Sequence, residues 1–383
     1  MKIAFYCPNK PLDHPEPSGD QTIARGIVQA LNGLGHDCRE AAVFRARWFW
    51  KRPGGWARAA AALVKALRLG RAWRPHLWLT YHTYYKSPDV IGPWVSRHLG
   101  IPYVLFQPMY STKRRRDPKT RLGFYLNRTA LLCCRHAITN NRNDVAALVR
   151  ILPARAVSVI PPGIFPEAFP RDERAGRSLR RHLKLGDQEP VLITVARFRP
   201  GVKWESLRFL LEALAREPLK DMYFRLLLVG DGPLEDRVRA AASRYLPSRV
   251  IFTGRVARTD LYRYLSAADL FAFPGIEESL GMVYLEAQAC GLPVVALRQG
   301  GVDQVVEDTR TGLLVPDPDP HVFAQAVGRL LADRDLRIRM GRHAQRFVHT
   351  RRNLHRNYRH LSRLLEAVAA RSFERPGPSD APP

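Results

Sequence analysis

Short apolar runs alternate with longer amphipathic stretches along most of the chain. In the first half the runs "KIAFYC", "CREAAVF", "LWLTYH", "PYVLFQ", "HAITN" and "VSVIP" read as strands, separated by segments such as "QTIARGIVQALNGLG" that repeat apolar positions at helical spacing. A second series follows with "PVLITVA", "YFRLLLVG", "RVIFTG", "LFAFP", "LPVVAL" and "TGLLVP". Strands that alternate with helix-length segments predict parallel sheets with crossover helices, so the fold class is α/β, with two similar wound sheets in tandem. Between the series, "PPGIFPEAFPRDERAGRSLRRHLKLGDQEP" is rich in Pro, Gly and charge, which predicts a linker over about 161–189. Two helical segments follow the second series, and the Pro-rich end "ERPGPSDAPP" predicts a disordered tail.

Length agrees with two units, since 383 residues exceed one ordinary core at roughly 100–200 residues per domain. Hydrophobic residues at 46% with 25% charged residues fit a soluble globular protein, and no stretch approaches the roughly 18–20 apolar residues of a spanning helix. The start "MKIAFYCP" enters a strand pattern without the features of a secretory signal, so a cytoplasmic location is expected. Cys7, Cys38, Cys133, Cys134 and Cys290 show no C-x-x-C spacing and read as small buried apolar residues. The charge changes the picture more. A net +26 with a pI near 10.6 attracts polyanions, which leaves nucleic acid, anionic lipid and phosphorylated substrates as partner classes.

The stretch "PGIEESLGMVYLEAQACGLPVVA" carries the most specific chemistry. Glu278 belongs to the loop after "LFAFP", and Glu286 lies eight positions later inside a helix expected to begin near Leu280 and to stop at Gly291. At about 1.5 Å per residue the two acids stand on the order of 10 Å apart, too far to share a proton or flank one bond. That spacing suits two ends of one extended ligand. Free N–H groups near Leu280, Gly281 and Met282 offer a phosphate seat between them, giving the outline of a nucleotide sugar. At other strand ends stand Arg197 and Lys203, two cations suited to a departing diphosphate, and the turn "GDGP". Gly230 and Gly232 lack the third glycine of a dinucleotide fingerprint, and no phosphate-loop lysine motif occurs.

From "FPGIEESLGMVYLEAQACGLPVVALRQGGVDQVVEDTRTGLLV" the chain resembles the retaining glycosyltransferases of family 4, also called glycosyl transferases group 1. Matches at "PSGDQTIARGIVQALNGLGHD", "VSVIPPGIFPEAF", "VARFRPGVK", "LLLVGDGP" and "FTGRV" extend the resemblance over most of the chain. It implies a GT-B fold of two facing Rossmann-like domains, with 1–165 binding acceptor, 166–350 binding donor, a helix over 351–371 returning to the N-terminal domain, and a tail over 372–383. It further implies that Glu286 binds ribose hydroxyls, Glu278 contacts the donor sugar and Arg197 and Lys203 hold the diphosphate. Ser279, Leu280, Gly281 and Met282 would seat the phosphates, Arg255 and Val256 would meet the nucleobase, and Gly19 would let backbone approach the donor. The spacing from Arg197 to Lys203 is one residue longer than the family pattern, Gln304 stands where Glu is frequent, and Gln107 occupies a position where many relatives carry His. His82, at the end of "LWLTYH", is the alternative residue at the reaction centre.

The implied reaction transfers a sugar from a UDP or GDP sugar to a hydroxyl with retention of configuration. Protein cations stabilise the leaving diphosphate, so neither a metal nor another cofactor is expected. The "DPD" at 317–319 and "DRD" at 333–335 imitate a metal motif but fall beside helix starts and in a surface helix. In the acceptor half, residues 44–75 interleave Trp48, Phe49, Trp50, Trp56 and Trp73 with cations, and 111–121 adds "STKRRRDPKTR". Basic amphipathic helices flanked by Trp rest on anionic bilayers. The expectation is a peripheral enzyme at the cytoplasmic membrane face with a lipid-linked or lipopolysaccharide-type glycan acceptor. A nucleotide-sugar epimerase, a transferase with a soluble acceptor and a basic nucleic-acid-binding protein are the alternatives. No RNA-binding motif accompanies the charge, so nucleic acid is not the expected partner.

Overall fold

Each of the twelve apolar runs forms a strand in the computed structural model, which describes residues 1–14 and 19–370. The first six are β1 (Lys2–Tyr6), β2 (Asp37–Ala42), β3 (Leu77–Tyr81), β4 (Tyr103–Phe106), β5 (His136–Thr139) and β6 (Val157–Val159). They make one parallel sheet in the order β2-β1-β3-β4-β5-β6. The next six are β7 (Val191–Val195), β8 (Arg225–Val229), β9 (Val250–Gly254), β10 (Leu270–Ala272), β11 (Val294–Leu297) and β12 (Gly312–Val315). They make a second parallel sheet in the order β12-β11-β10-β7-β8-β9. The central strands are continuous apolar runs because helices cover both faces of a parallel sheet, leaving no wet side for alternation to mark. Burial of β3, β4, β10 and β11 along their whole length fits that account.

The chain divides into two compact units, Met1–Ile160 with the segment from His355 onward, and Pro161–Leu354. In the first unit the helix Leu354–Ala370 buries Tyr358, Leu361 and Leu365 and holds His36 through Ser362, with Nε2 and Oγ 2.7 Å apart. The expected tail over 372–383 lies outside the described residues. In the second unit the stretch read as a linker is structured. Helix Glu173–His182 lies against helix Leu261–Ala267, and Arg180 is buried with its guanidinium donating to the carbonyls of Ala267, Gly186 and Glu189. Its composition misleads because a buried arginine held by carbonyls looks, in sequence, like one more surface charge.

Asp89 shows how the first sheet is held at its carboxyl edge. The carboxylate is 1% exposed and accepts hydrogen bonds from Thr80 (2.6 Å), Tyr103 (2.8 Å) and the N–H groups of Ile91 (2.8 Å) and Gly92 (2.7 Å). Burial pushes its carboxyl above the ordinary range, although the four donors pull the other way. It thus ties β3, β4 and the start of helix Gly92–Leu99 together. Asp89→Ala would leave those donors buried without an acceptor, and is expected to cost about 3 kcal/mol or more. Six of the seven tryptophans lie in the first unit, so urea unfolding followed by tryptophan fluorescence reads this loss directly.

Candidate active site

In the second sheet the chain leaves β7 for β8 and β9 on one side and returns to β10 on the other. Pairing of Leu192 with Leu270 and Ile193 with Phe271 sets β7 and β10 side by side, yet their following loops part. A strand-order reversal of this kind opens a crevice at the carboxyl ends, where ligands of open α/β sheets bind. A cavity of about 360 Å³ lies here, with an apolar lining from Val195, Val229, Leu261 and Val283.

Eight of the twelve residues singled out from sequence line this one cavity: Arg197, Lys203, Arg255, Val256, Glu278, Gly281, Met282 and Glu286. Lys203 enters from the first turn of helix Val202–Leu214, and its ammonium is paired with the Glu278 carboxylate and lies 5.2 Å from the centre of the Phe273 ring. The extra residue after Arg197 therefore does not carry Lys203 away from the site. Arg197 is two-thirds exposed, with Nε 3.5 Å from Asp231 Oδ1 on the loop after β8. Of the adjacent acids, Glu278 lines the cavity, whereas Glu277 is exposed at φ 52° and its N–H donates to Gln299. The loop carrying both is fastened by Ile276 N–H to Ser206 Oγ (3.0 Å), Glu278 N–H to Gly275 O (3.0 Å) and the Tyr284 hydroxyl to Phe273 O (3.1 Å).

The helix after this loop starts later than the sequence pattern suggests. It spans Met282–Ala289, preceded by Gly281 at φ 71°, a left-handed conformation whose missing Cβ leaves room for the Tyr284 ring. The unpaired N–H groups therefore begin around Met282. The Leu280 side chain is 8% exposed and packs into the core, while Ser279 is exposed and outside the cavity lining, so what these two residues could offer a phosphate there is main chain. Gly19 opens the helix Gly19–Gly33 of the first unit, and the residues just before it lie outside the described ones. His82 follows β3 at φ 59°, with its ring 4.9 Å from Tyr84, and Gln107 follows β4 at φ 56°. Positive φ at two non-glycine residues ending adjacent strands marks backbone held out of its preferred regions.

Glu286 sits inside the helix and is 5% exposed. Burial pushes its carboxyl above the ordinary value, and Arg258 pulls it back through an ion pair with Nη2 2.7 Å from Oε1. Arg258 follows the loop after β9 and is steadied over the Phe169 ring at 5.1 Å. Sequence reading did not find Arg258 or Asp231, because their roles arise from contacts across loops that no local spacing announces. One aspartate of each of "DPD" and "DRD" proves to be a helix cap: Asp319 accepts from His321 N–H (2.7 Å) and Asp333 from Leu336 N–H (2.8 Å). Among the described residues no group of three or more His, Cys, Asp or Glu is placed to hold a metal. Cys7, Cys38 and Cys290 are buried as expected, whereas Cys133 is exposed on the outer side of its helix.

Residues 189–333, which carry all these cavity-lining groups, match the family described as Glycosyl transferases group 1. A GDP-mannose-dependent alpha-(1-6)-phosphatidylinositol monomannoside mannosyltransferase of Mycolicibacterium smegmatis is 38% identical over 189 residues, 47% of this chain and 48% of that protein. The chain thus spans about half the length of this relative and of its two Mycobacterium tuberculosis counterparts. A D-inositol 3-phosphate glycosyltransferase of Acidothermus cellulolyticus is 31% identical over 309 residues, 75% of this chain and 68% of that protein. The chain belongs to the group 1 glycosyltransferases. Among solved structures, Anabaena HepE in complex with UDP matches with a TM-score of 0.75, covering 96% of this chain and 100% of that one at 20% identity. That likeness is one of fold, the two-domain α/β architecture called GT-B.

In this group 1 glycosyltransferase the Arg258–Glu286 pair gives stability a definite pH dependence. A carboxyl whose native pKa is raised binds its proton more tightly folded than unfolded, so its contribution falls as pH rises from the ordinary carboxylate value through the native one. Arg258→Ala removes the group that lowers the native value and extends that loss to higher pH. The variant is expected to lose about 1–3 kcal/mol at pH 7, a buried-pair penalty reduced because Arg258 is 62% exposed, and much less at pH 4. Urea unfolding at both pH values checks this, and adding Glu286→Gln should flatten the difference.

Proposed function

We propose that this glycosyltransferase moves a sugar from a nucleoside diphosphate sugar to a hydroxyl acceptor with retention of configuration. The observation that carries the reading is the single cavity in which Arg197, Lys203, Arg255, Glu278 and Glu286 converge at the strand-order reversal of the second sheet. Arg197 and Lys203, which follow β7, meet the diphosphate, assisted by the free N–H groups at the start of helix Met282–Ala289, while Arg255 and Val256 after β9 meet the nucleobase. Glu286, buried and paired with Arg258, accepts hydrogen bonds from the ribose hydroxyls. Glu278, held by Lys203, faces the sugar end. As the glycosidic bond breaks, negative charge grows on the diphosphate, and Arg197 and Lys203 stabilise it where it forms. The acceptor hydroxyl then attacks from the leaving-group face and passes its proton to a diphosphate oxygen. Charge stabilisation by side-chain cations leaves no step that requires a metal. His82 is the residue of the first unit proposed at the reaction centre.

The donor is a UDP or GDP sugar, a reading supported by relatives named for GDP-mannose and by the UDP bound to HepE. Thermal shifts with a panel of nucleoside diphosphates test it. One of them is expected to stabilise the wild type, and Glu286→Ala to weaken that binding at least tenfold. Absence of stabilisation by any nucleotide would sink the donor-site reading. Product analysis with a labelled donor separates transfer from epimerisation.

A lipid-linked acceptor at an anionic membrane surface is supported by relatives named for a phosphatidylinositol mannoside and by the outer faces of two helices in the first unit. The aromatic set is smaller than the sequence suggested, because Phe49 and Trp73 are core residues at 1% and 9% exposure. Trp56 on helix Gly55–Trp73 remains exposed, together with Val64 and Leu69 and the nearby Arg58, Lys65 and Arg68. Helix Pro118–Cys133 adds exposed Leu122, Tyr125 and Leu132 beside Lys119, Arg121 and Arg128. Apolar groups ringed by cations suit insertion at headgroup depth. No helix among the described residues is long and apolar enough to cross a membrane. The wild type should co-sediment with anionic but not neutral vesicles at low salt, and Trp56→Glu with Leu122→Glu should reduce recovery several-fold. Equal recovery with both vesicle types would remove the membrane from the proposal.

A further inference from the structure

The amino end of the second sheet carries a separate groove of about 460 Å³, opposite in the sheet to the candidate donor cavity. Ala268 and Asp269 before β10 and Gly291 and Leu292 before β11 form its base. One wall is the helix Arg334–Arg351, where Arg334, Ile338 and Arg342 repeat every four residues and so share a face. Arg337 and Arg171 complete a set of four guanidinium groups around the groove.

None of the four arginines is ion-paired with a carboxylate among the described residues. Arg337 is fixed by donating to the carbonyls of Leu330 (2.7 Å) and Leu331 (3.0 Å), and Arg171 donates to the carbonyl of Cys290 (3.3 Å). Carbonyls hold these side chains in place without neutralising them. The two acids at the groove are already committed elsewhere: Asp269 to Arg180 (3.4 Å) and the Val191 N–H (2.9 Å), and Glu173 to Arg177 (3.4 Å). A concave wall with four positive charges, two of them fixed, differs from a solvated basic face, whose side chains must be ordered before they bind. Guanidinium groups favour the oxygens of phosphate, which they hold through paired N–H bonds.

We propose that this groove is a second anion site, taking a compact phosphorylated ligand such as a sugar phosphate or a diphosphate, with Ile338 and Leu292 against its non-ionic part. Helix Met282–Ala289 links the two sites. Its first turn opens on the donor cavity, and Gly291, two residues past its end and about 12 Å along the helix axis, lines the groove, where Gly341 packs directly against the Gly291 carbonyl. The site stands independently of the donor reading, since none of its residues lines the donor cavity.

The test is calorimetric titration of the full chain with pyrophosphate, in an Arg197→Ala/Lys203→Ala background that silences anion binding at the donor cavity. One pyrophosphate site is expected to remain, and further Arg334→Glu/Arg342→Glu exchange should weaken it at least tenfold. Reversal of two exposed arginines of the same helix outside the groove, Arg339→Glu/Arg346→Glu, carries the same charge change and should alter affinity less than threefold. Absence of a remaining site would overturn the proposal, as would equal losses from the two reversals, which would reduce the effect to the long-range field of a chain with net charge +26. Repeating the titration with glucose 6-phosphate and inorganic phosphate reads the organic part. Tighter binding of the sugar phosphate supports a pocket that includes Ile338 and Leu292, and equal binding overturns that part of the assignment.

Discussion

Because β8 and β9 build outward from β7 on one side while β10, β11 and β12 build outward on the other, the loops leaving β7 and β10 part above adjacent strands. Hydrogen bonding fixes the two strands side by side, and their connections cannot close over the gap without crossing the sheet edge. What the sequence places after those strands therefore determines the contents of the gap. After β7 comes Arg197 and a turn into the helix bearing Lys203; after β10 comes the loop of Glu278 and the helix of Glu286. The same continuous apolar runs that make the sheet a rigid core also deliver charged groups to one edge of it.

Two acids and several cations close together in a partly dry cavity must balance one another. Glu278 is held by Lys203 and Glu286 by Arg258, so each carboxylate in the unliganded chain has its own counter-ion. The arrangement differs at its two ends. Lys203 and Glu278 are similarly shielded at 20% and 21% exposure, whereas Arg258 is largely in solvent and Glu286 is not. Arg258 thus reaches its buried partner from the solvent side, steadied over the Phe169 ring. A ligand that donates hydroxyl hydrogen bonds to Glu286 adds to the stabilisation of its ionised form, and does not have to displace the whole ion pair to do so.

The inner strands were readable because a run buried by helices on both faces has nothing to interrupt it, and the partly exposed edge strands β2, β6 and β9 were marked by short apolar runs between turn signals. The acids and cations of the site were legible for a related reason: they follow strand ends, which fold class alone marks as ligand territory. The parts that were not legible depend on contacts between distant segments. Gly281 in a left-handed conformation delays the helix start to Met282, and the Leu280 side chain before it falls into the core. Arg258 carries no local signature, since its role follows only from Glu286 being buried beside it. The segment 161–189 reads as a linker by composition, yet the carbonyls around Arg180 turn a charge into a structural pin. Trp73 looks like a membrane anchor in sequence until its indole N–H is found donating to Asp37 at 3.1 Å under the Arg39 guanidinium.

Arginine does several unlike things in this chain, and net charge hides the distinction. Arg180 is buried and pinned by backbone oxygens, Arg258 compensates a buried acid, and Arg197 stands two-thirds exposed beside Asp231 at the mouth of a cavity. Each use exploits a different property of the guanidinium: several donors, permanent charge, and weak hydration that lets it leave water at modest cost. An excess of +26 is then not a uniform field but a sum of committed and uncommitted groups. Among the described residues the uncommitted ones gather in the concave groove at the amino end of the second sheet and on the outer faces of two helices of the first unit, while at the carboxyl end Arg197, Lys203 and Arg258 each face an acid. Concavity matters because low-dielectric walls concentrate the field that exposed charges on a convex surface lose to screening. On that ground, anionic ligands are to be sought in the two concave sites of the second sheet before they are sought over the surface at large.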